Sequence, residues 1–159
     1  MKNLIVLILP FILISCSKKQ DIEQLTRDNE ISIYTYGAPW EDQFEAYFNP
    51  TEESIDTLYV SKLENSKGKE IKSLKKIKLK PNEIDSLYNY FQKIKNNFKI
   101  DNRKTRVMDG TSVGISIRNS CASLSFSYKG LDKAENADPE IGKLIKFINI
   151  RLPKDFQMY

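Results

Sequence analysis

Residues 111–128, TSVGISIRNSCASLSFSY, decide the fold, because apolar and small polar residues alternate on both sides of Asn119 and Ser120. Alternation with a period of two is typical of half-buried β-strands. A two-residue turn at Asn119-Ser120 fixes which residues face each other across two antiparallel strands. It pairs Ile117 with Ala122, Ile115 with Leu124 and Val113 with Phe126. The sequence therefore predicts a β-hairpin with these side chains together on one apolar face.

The other face of this hairpin is polar and is expected to face solvent. It carries Gly114, Ser116, Arg118, Cys121, Ser123, Ser125 and Ser127. The predicted register places Cys121 opposite Arg118, whose positive charge favours a reactive thiolate. A single cysteine in a strand is more often a small, inert side chain, and we interpret Cys121 in that way.

Three more segments upstream have the composition of strands, namely residues 31–36, 56–63 and 77–80. The last two are predicted to form a hairpin around a turn at residues 65–69. Phe44, Ala46 and Phe48 alternate and indicate a strand over residues 44–48. The spacing of Trp40, Phe44 and Phe48 fits a short helix as well.

Two segments show the helical spacing of apolar residues. In residues 81–98 the stripe consists of Ile84, Leu87, Phe91, Ile94 and Phe98, and Asn82 with Asp85 is expected to cap it. After the helix-start signal Asp138-Pro139-Glu140, the second stripe consists of Ile141, Leu144, Ile145 and Ile148 and stops before Pro153. The strands and helices together predict an α+β fold, with an antiparallel sheet of about five to seven strands and two helices packed on one face.

Charge is distributed unevenly along the chain, although the whole carries only +4. Residues 21–61 hold ten acidic side chains and one basic side chain, a balance of −9. Residues 62–106 hold fourteen basic and five acidic side chains, a balance of +9. Two blocks of opposite sign are expected to attract each other in the folded domain.

The first residues have the pattern of a secretory signal. Lys2 is followed by an apolar run over residues 4–14, and charge resumes at Lys18. Eleven apolar residues are too few to cross a bilayer, which needs about 20. Immediately after the run, Leu13-Ile14-Ser15-Cys16 resembles the lipobox of bacterial lipoproteins, which is read by the type II signal peptidase.

This resemblance implies that a diacylglyceryl group is attached to the sulfur of Cys16 and that the chain is cut before that residue. Residues 1–15 would then be the signal peptide, residues 16–30 a lipidated flexible tether and residues 31–159 a single domain. Ser17 stands where an aspartate would retain the protein at the inner membrane, so the outer membrane is expected. An ordinary signal peptide with an incidental Cys16 is the alternative.

Composition excludes several kinds of chemistry. The chain has no histidine and two cysteines, which removes imidazole-based nucleophile sets and the usual zinc sites. It also has no glycine-rich phosphate loop. We therefore expect no cofactor, no metal and no enzyme activity.

Two groups of residues are candidates for binding a partner. Trp40, Glu41, Asp42 and Glu45 combine carboxylates with an aromatic ring, and Lys75, Lys76 and Lys78 belong to a basic stretch. The first group also permits an alternative function, a carboxylate-dependent hydrolase of envelope polymers. The second suits an acidic protein or anionic lipid, and nucleic acid is not an expected partner of an exported protein.

The mature domain resembles small exported lipoproteins of unknown function in its Asp109-Gly110, hairpin and helix ending. That resemblance carries no known activity. The sequence thus predicts a membrane-anchored lipoprotein whose domain is a non-catalytic binding or inhibitor-type module at the cell envelope. The expected partners are the membrane, through acylated Cys16, and an envelope protein.

Overall fold

The computed structural model describes residues 25–37, 42–50, 55–66, 69–98, 110–120 and 122–158. Its strands are β1 (Glu30–Tyr36), β2 (Gln43–Phe48), β3 (Thr57–Ser66), β4 (Lys69–Lys78), β5 (Thr111–Arg118) and β6 (Ser123–Leu131). Its helices are α1 (Pro81–Asn97) and α2 (Pro139–Asn149), with short 3-10 turns at Ala134–Asn136 and Lys154–Phe156. The predicted α+β fold is confirmed.

All six strands belong to one sheet in the order β4-β3-β2-β1-β5-β6, and every neighbouring pair is antiparallel. Alternate side chains of the strands point to one side and meet the apolar stripes of the two helices. The largest fully buried side chains are Phe48, Phe91, Ile33, Leu58, Leu87, Ile94, Ile115, Ile117, Leu131, Ile141, Leu144 and Ile148. Both helices therefore cover the same face of the sheet, and one core lies between them.

The hairpin of residues 111–128 forms, but its predicted register is wrong. Ile117 pairs with Leu124 and Ile115 with Phe126, a shift of two positions from the expected partners. The turn is centred one position later than predicted, because the Asn119 N–H donates to the Ala122 carbonyl at 3.0 Å and the Ala122 N–H donates to the side-chain Oδ1 of Asn119 at 2.8 Å. A shift of two residues keeps every side chain on its predicted face.

The start of α1 differs from the expected capping pair. The N–H of Lys80 donates to Glu83 Oε2 at 2.8 Å, so Glu83 closes the first turn in place of Asp85. Asp85 instead forms an exposed ion pair with Arg27 at 2.6 Å. The start of α2 agrees with the sequence, since Asp138 accepts a hydrogen bond from the Glu140 N–H at 2.8 Å.

Other boundaries shift by a few residues. Residues 43–48 form a strand, so the helix alternative for this segment is wrong. The predicted hairpin of β3 and β4 is confirmed, with strands that extend to Ser66 and from Lys69. Leu25 is buried and its N–H donates to Gln92 on α1 at 2.8 Å, so the folded part reaches back beyond Ile31. No helix in the described part of the chain has the length and apolar character to cross a membrane.

Candidate functional site

The face of the sheet that the helices leave uncovered is rich in tyrosine and serine. We define this tyrosine–serine face by Ser32, Tyr34, Tyr36, Glu45, Tyr47, Tyr59, Ser61, Ser112, Gly114, Ser116, Ser125 and Ser127, which project from five strands. Lysines of β4 border it on one side. The face exists because each strand places its polar residues at alternate positions, opposite the core.

Strand register arranges these side chains in rows across the sheet. One row runs Lys76, Tyr59, Tyr47, Ser32, Ser116 and Ser125. The next runs Leu74, Ser61, Glu45, Tyr34, Gly114 and Ser127. Bulky rings therefore occupy the middle strands, and small side chains occupy the β5–β6 side.

The rings of Tyr47 and Tyr59 stack on each other across neighbouring strands. Their centroids lie 5.0 Å apart with an interplanar angle of 15°. The ammonium of Lys76 lies 5.4 Å from the centroid of the Tyr59 ring, within the range of a cation–π interaction. These contacts hold both rings in one orientation.

Tyr34 extends from β1 across β5, and the glycine at position 114 makes room for it. A Cβ at Gly114 would lie 1.7 Å from Tyr34 Cζ, so no larger residue fits beneath the ring in this position. The ring of Tyr36 lies 5.0 Å from that of Tyr34 at 43°. Burial raises the pKa of Tyr36, with smaller contributions from Tyr34 and Glu45, and its phenol stays protonated at neutral pH.

A polar hollow of about 440 Å³ lies within the tyrosine–serine face. Its lining includes Tyr34, Tyr47, Ser32 and Ser116, so rings and hydroxyls converge on one space. Glu30 and Arg118 form an ion pair at its border, with Arg118 Nε donating to Glu30 Oε2 at 2.8 Å. Rings, hydroxyls and an ion pair equip the hollow to receive a polar side chain or a small polar ligand.

The whole face is much wider than this hollow. Six strands about 4.8 Å apart, with four alternate positions about 6.8 Å apart, span roughly 24 by 20 Å. That is a projected area of about 500 Å² for the whole sheet, compared with the roughly 800 Å² that each partner buries in a standard protein interface. The sheet is therefore wide enough to supply more than half of such an interface.

The opposite side of the sheet holds a different charged cluster, at the margin of the core. Lys62 is 8% exposed and its ammonium contacts Asp42 at 2.9 Å and Glu64 at 2.7 Å. It also donates to the backbone carbonyl of Asp155 at 2.8 Å. Every donor position of this ammonium is used, so the cluster ties the C-terminal segment to the sheet.

The structure separates the residues that the sequence proposed for partner binding. Glu45, Lys76 and Lys78 project to the side of the tyrosine–serine face, with Lys78 3.5 Å from Asp56. Asp42 and Lys75 lie on the helix side, where Lys75 is 5.7 Å from the Phe156 ring centroid. Trp40, Glu41, Cys121 and the lipobox Leu13-Ile14-Ser15-Cys16 lie outside the described residues.

The tyrosines of the tyrosine–serine face were not identified from the sequence as one group. Tyr34 and Tyr36 supported a strand over residues 31–36, and Tyr59 supported the strand over residues 56–63, each on its own. The signal available in the sequence was that these rings occupy the polar phase of the alternation. Only the strand order brings them together on one face.

Within the described residues no group of three or more acidic side chains is placed to hold a metal ion. Comparison of the sequence with protein-family models and with curated proteins gives no match. The geometry of the tyrosine–serine face is therefore the basis for a functional proposal.

Proposed function

We propose that this chain is a membrane-anchored lipoprotein whose domain is a non-catalytic module that binds a protein at the cell envelope through the tyrosine–serine face. One observation carries the proposal. Tyr34, Tyr36, Tyr47 and a row of serines form an open sheet face, Tyr59 is buried beside Tyr47 at 8% exposure, and both helices pack on the other side. If the tyrosine–serine face covers an active or binding site of that protein, the module inhibits it.

The composition of this face is that of protein-binding surfaces. Tyrosine supplies a large contact area with only two side-chain torsions, and serine supplies hydrogen bonds that adapt to a partner. Tyr47 and Tyr59 are already held by stacking, and Tyr36 is 43% exposed. Rigid aromatic anchors of this kind account for much of the affinity at protein interfaces.

A hydrolase is less well supported by the same geometry. Glycoside hydrolysis needs two carboxyl groups on either side of one substrate bond. The Asp42 carboxylate is on the helix side with Lys62, whereas Glu45 projects from the tyrosine–serine face. Among the described candidates, these two therefore do not form a catalytic pair.

The membrane anchor rests on the resemblance of Leu13-Ile14-Ser15-Cys16 to a lipobox. Two or more acyl chains on Cys16, at about 0.8 kcal/mol per buried methylene, suffice for lasting attachment. A short polar segment then separates the lipid from Leu25, where the described domain begins. Ser17 supports placement at the outer membrane.

Site-specific photo-cross-linking in living cells tests the binding function. A photoreactive amino acid at Ser125 reports on the tyrosine–serine face, and the same amino acid at Lys146, exposed on α2, is the control. We expect a protein adduct from Ser125 that Tyr47→Ala removes, and none from Lys146. Identical adducts from both positions, or none from either, contradict the proposal.

A further inference from the structure

Strand β4 forms an edge of the sheet. It is ten residues long, and among the described strands it pairs only with β3. Its register with β3 runs without a bulge from Ser66↔Lys69 to Thr57↔Lys78. A long, regular edge leaves a row of backbone N–H and C=O groups available to another strand, which natural proteins usually avoid.

Two apolar side chains of β4 are exposed on opposite faces of this edge. Ile71 and Leu74 are each 51% exposed, and Leu74 stands in the row of the tyrosine–serine face beside Ser61. Lysines alone would explain β4 as an edge protected from pairing. Exposed isoleucine and leucine on the same strand instead favour a strand that becomes covered.

The lysines of β4 determine which kind of strand can pair with this edge. Lys72, Lys76 and Lys78 project at alternate positions on the side of the tyrosine–serine face, and Lys75 projects on the other side. Among these four lysines, the described part of the chain shows an ion pair for Lys78, whose ammonium lies 3.5 Å from Asp56. A strand that approaches β4 therefore faces Lys72, Lys76 and Lys78, with the apolar Leu74 between the first two.

We propose that an extended acidic segment of the partner adds to β4 as a further strand of the sheet. Carboxylates would stand opposite Lys72, Lys76 and Lys78, with an apolar side chain opposite Leu74. Opposite charges that face each other across two strands stabilise the pairing, and main-chain hydrogen bonds supply most of the affinity. This inference rests on the proposed function, because the added strand continues the tyrosine–serine face.

A second copy of this chain is the wrong occupant for the same reason. Two β4 edges side by side would bring lysine against lysine along their length, and like charges that face each other across strands are destabilising. An anionic membrane would attract the lysines but would leave the backbone groups of the edge without partners. An acidic extended segment satisfies both the lysines and the backbone.

A synthetic peptide tests strand addition directly. The labelled probe has ten residues, the length of β4, with glutamate at the alternate positions that face Lys72, Lys76 and Lys78, valine at the position that faces Leu74, and threonine or valine at the positions between. One control has the same composition with its glutamates in a block, and a second has every other backbone nitrogen methylated. We expect the alternating peptide to bind the purified protein, as followed by fluorescence polarisation, and both controls to bind about tenfold more weakly or worse. Equal binding of all three overturns strand addition.

Paired charge reversals locate the site. K72E/K76E should weaken peptide binding by about tenfold or more, since each reversal replaces an attraction by a repulsion. K93E/K146E changes the net charge equally on the exposed helix side and should leave binding within about twofold. Thermal unfolding checks that both proteins fold. Equal losses in the two variants overturn the inference.

Two further outcomes would assign the edge to another occupant and overturn the inference. One is a dimer in sedimentation that K72E/K76E dissociates. The other is binding to phosphatidylglycerol vesicles that needs Lys72 and Lys76, with no binding of the peptide. Cross-links from Ser125 that persist when peptide binding fails leave the proposed function standing, whereas peptide binding without such cross-links contradicts the proposed function alone.

Discussion

Lys62 is a charged side chain buried at the margin of the core. Burial alone would lower the pKa of its ammonium, but hydrogen bonds with Glu64 and Asp42 outweigh that effect and raise the pKa above 10.5. The ammonium therefore stays charged at neutral pH, in contact with the Phe44 ring at 5.7 Å. Its three hydrogen-bonding partners come from β3, the residue just before β2 and the C-terminal segment.

Replacing Lys62 by methionine should lower the free energy of unfolding at pH 7 by roughly 2 kcal/mol. Breaking a buried ion pair costs about 3–5 kcal/mol, but Asp42 and Glu64 keep side-chain exposures of 24% and 40% and regain water. Because the folded pKa is raised, this contribution is complete below pH 10.5 and disappears as the pH rises through the folded pKa. Urea unfolding of wild type and variant, at pH 7 and at a pH above 10.5, measures the difference in free energy of unfolding.

The matched control for this variant is Lys75→Met, which removes an exposed lysine on the same side of the sheet. It should change stability by less than about 0.5 kcal/mol. Equal destabilisation by the two substitutions would show that the Lys62 cluster has no special role.

Gly114 and Tyr34 should be energetically coupled. Gly114→Ala places a methyl group where the Tyr34 ring now lies, and such overpacking costs about 1–3 kcal/mol unless the ring moves. In a Tyr34→Ala background the same change should be neutral or slightly stabilising, since alanine is favoured over glycine in a strand. A double-mutant cycle measured by denaturant unfolding gives the coupling, and a value near zero contradicts this packing.

At the level of elements, Glu83 links the two helices. It accepts a hydrogen bond from the Lys80 N–H at the start of α1 and another from Arg151, just after α2, at 2.5 Å. The first of these contacts contributes most, and together they lower the pKa of the Glu83 carboxyl below 4.5. The ring of Phe147 on α2 lies 3.8 Å from the Arg151 guanidinium carbon, which orients the guanidinium.

Glu83→Gln should therefore destabilise the domain in a pH-dependent way. A lowered folded pKa means that the stabilisation is present above pH 4.5 and is lost as the pH falls through the folded pKa. The difference in unfolding temperature between wild type and variant should be largest near pH 7 and should shrink in acid. Asp132→Asn, at an exposed position, is the control. A difference that is constant with pH contradicts this role.

Local patterns were enough to predict most elements. The stripes that predicted α2 are buried as expected, and its Asp138 cap is present. The register of the β5–β6 hairpin was not predictable in the same way, because it depends on Asn119 bonding to Ala122 through both its backbone N–H and its side-chain Oδ1. The cap of α1 depends partly on Arg151, which is distant in sequence from Glu83.

At the scale of the whole molecule, the candidate face depends on long-range pairing that no local pattern encodes. β1 lies between β2 and β5, and this order joins tyrosines of three strands to the serines of β5 and β6. Within the described residues, the two charged blocks meet through Lys62 with Asp42 and Lys78 with Asp56. Lys72, Lys75 and Lys76 of β4 are exposed, and their charge makes this edge of the sheet basic.

Lipid on Cys16, as proposed, would hold the whole domain at a membrane through a short polar segment. Cells fed labelled palmitate should produce a labelled protein, and Cys16→Ala should carry no label because alanine offers no sulfur for the diacylglyceryl group. Cys121→Ala controls for loss of a thiol elsewhere and should keep the label. A Cys16→Ala protein that still takes up label and sediments with membranes would contradict lipidation at this residue. In that case the tyrosine–serine face would remain the proposed binding surface, but its location at the envelope would lose its support.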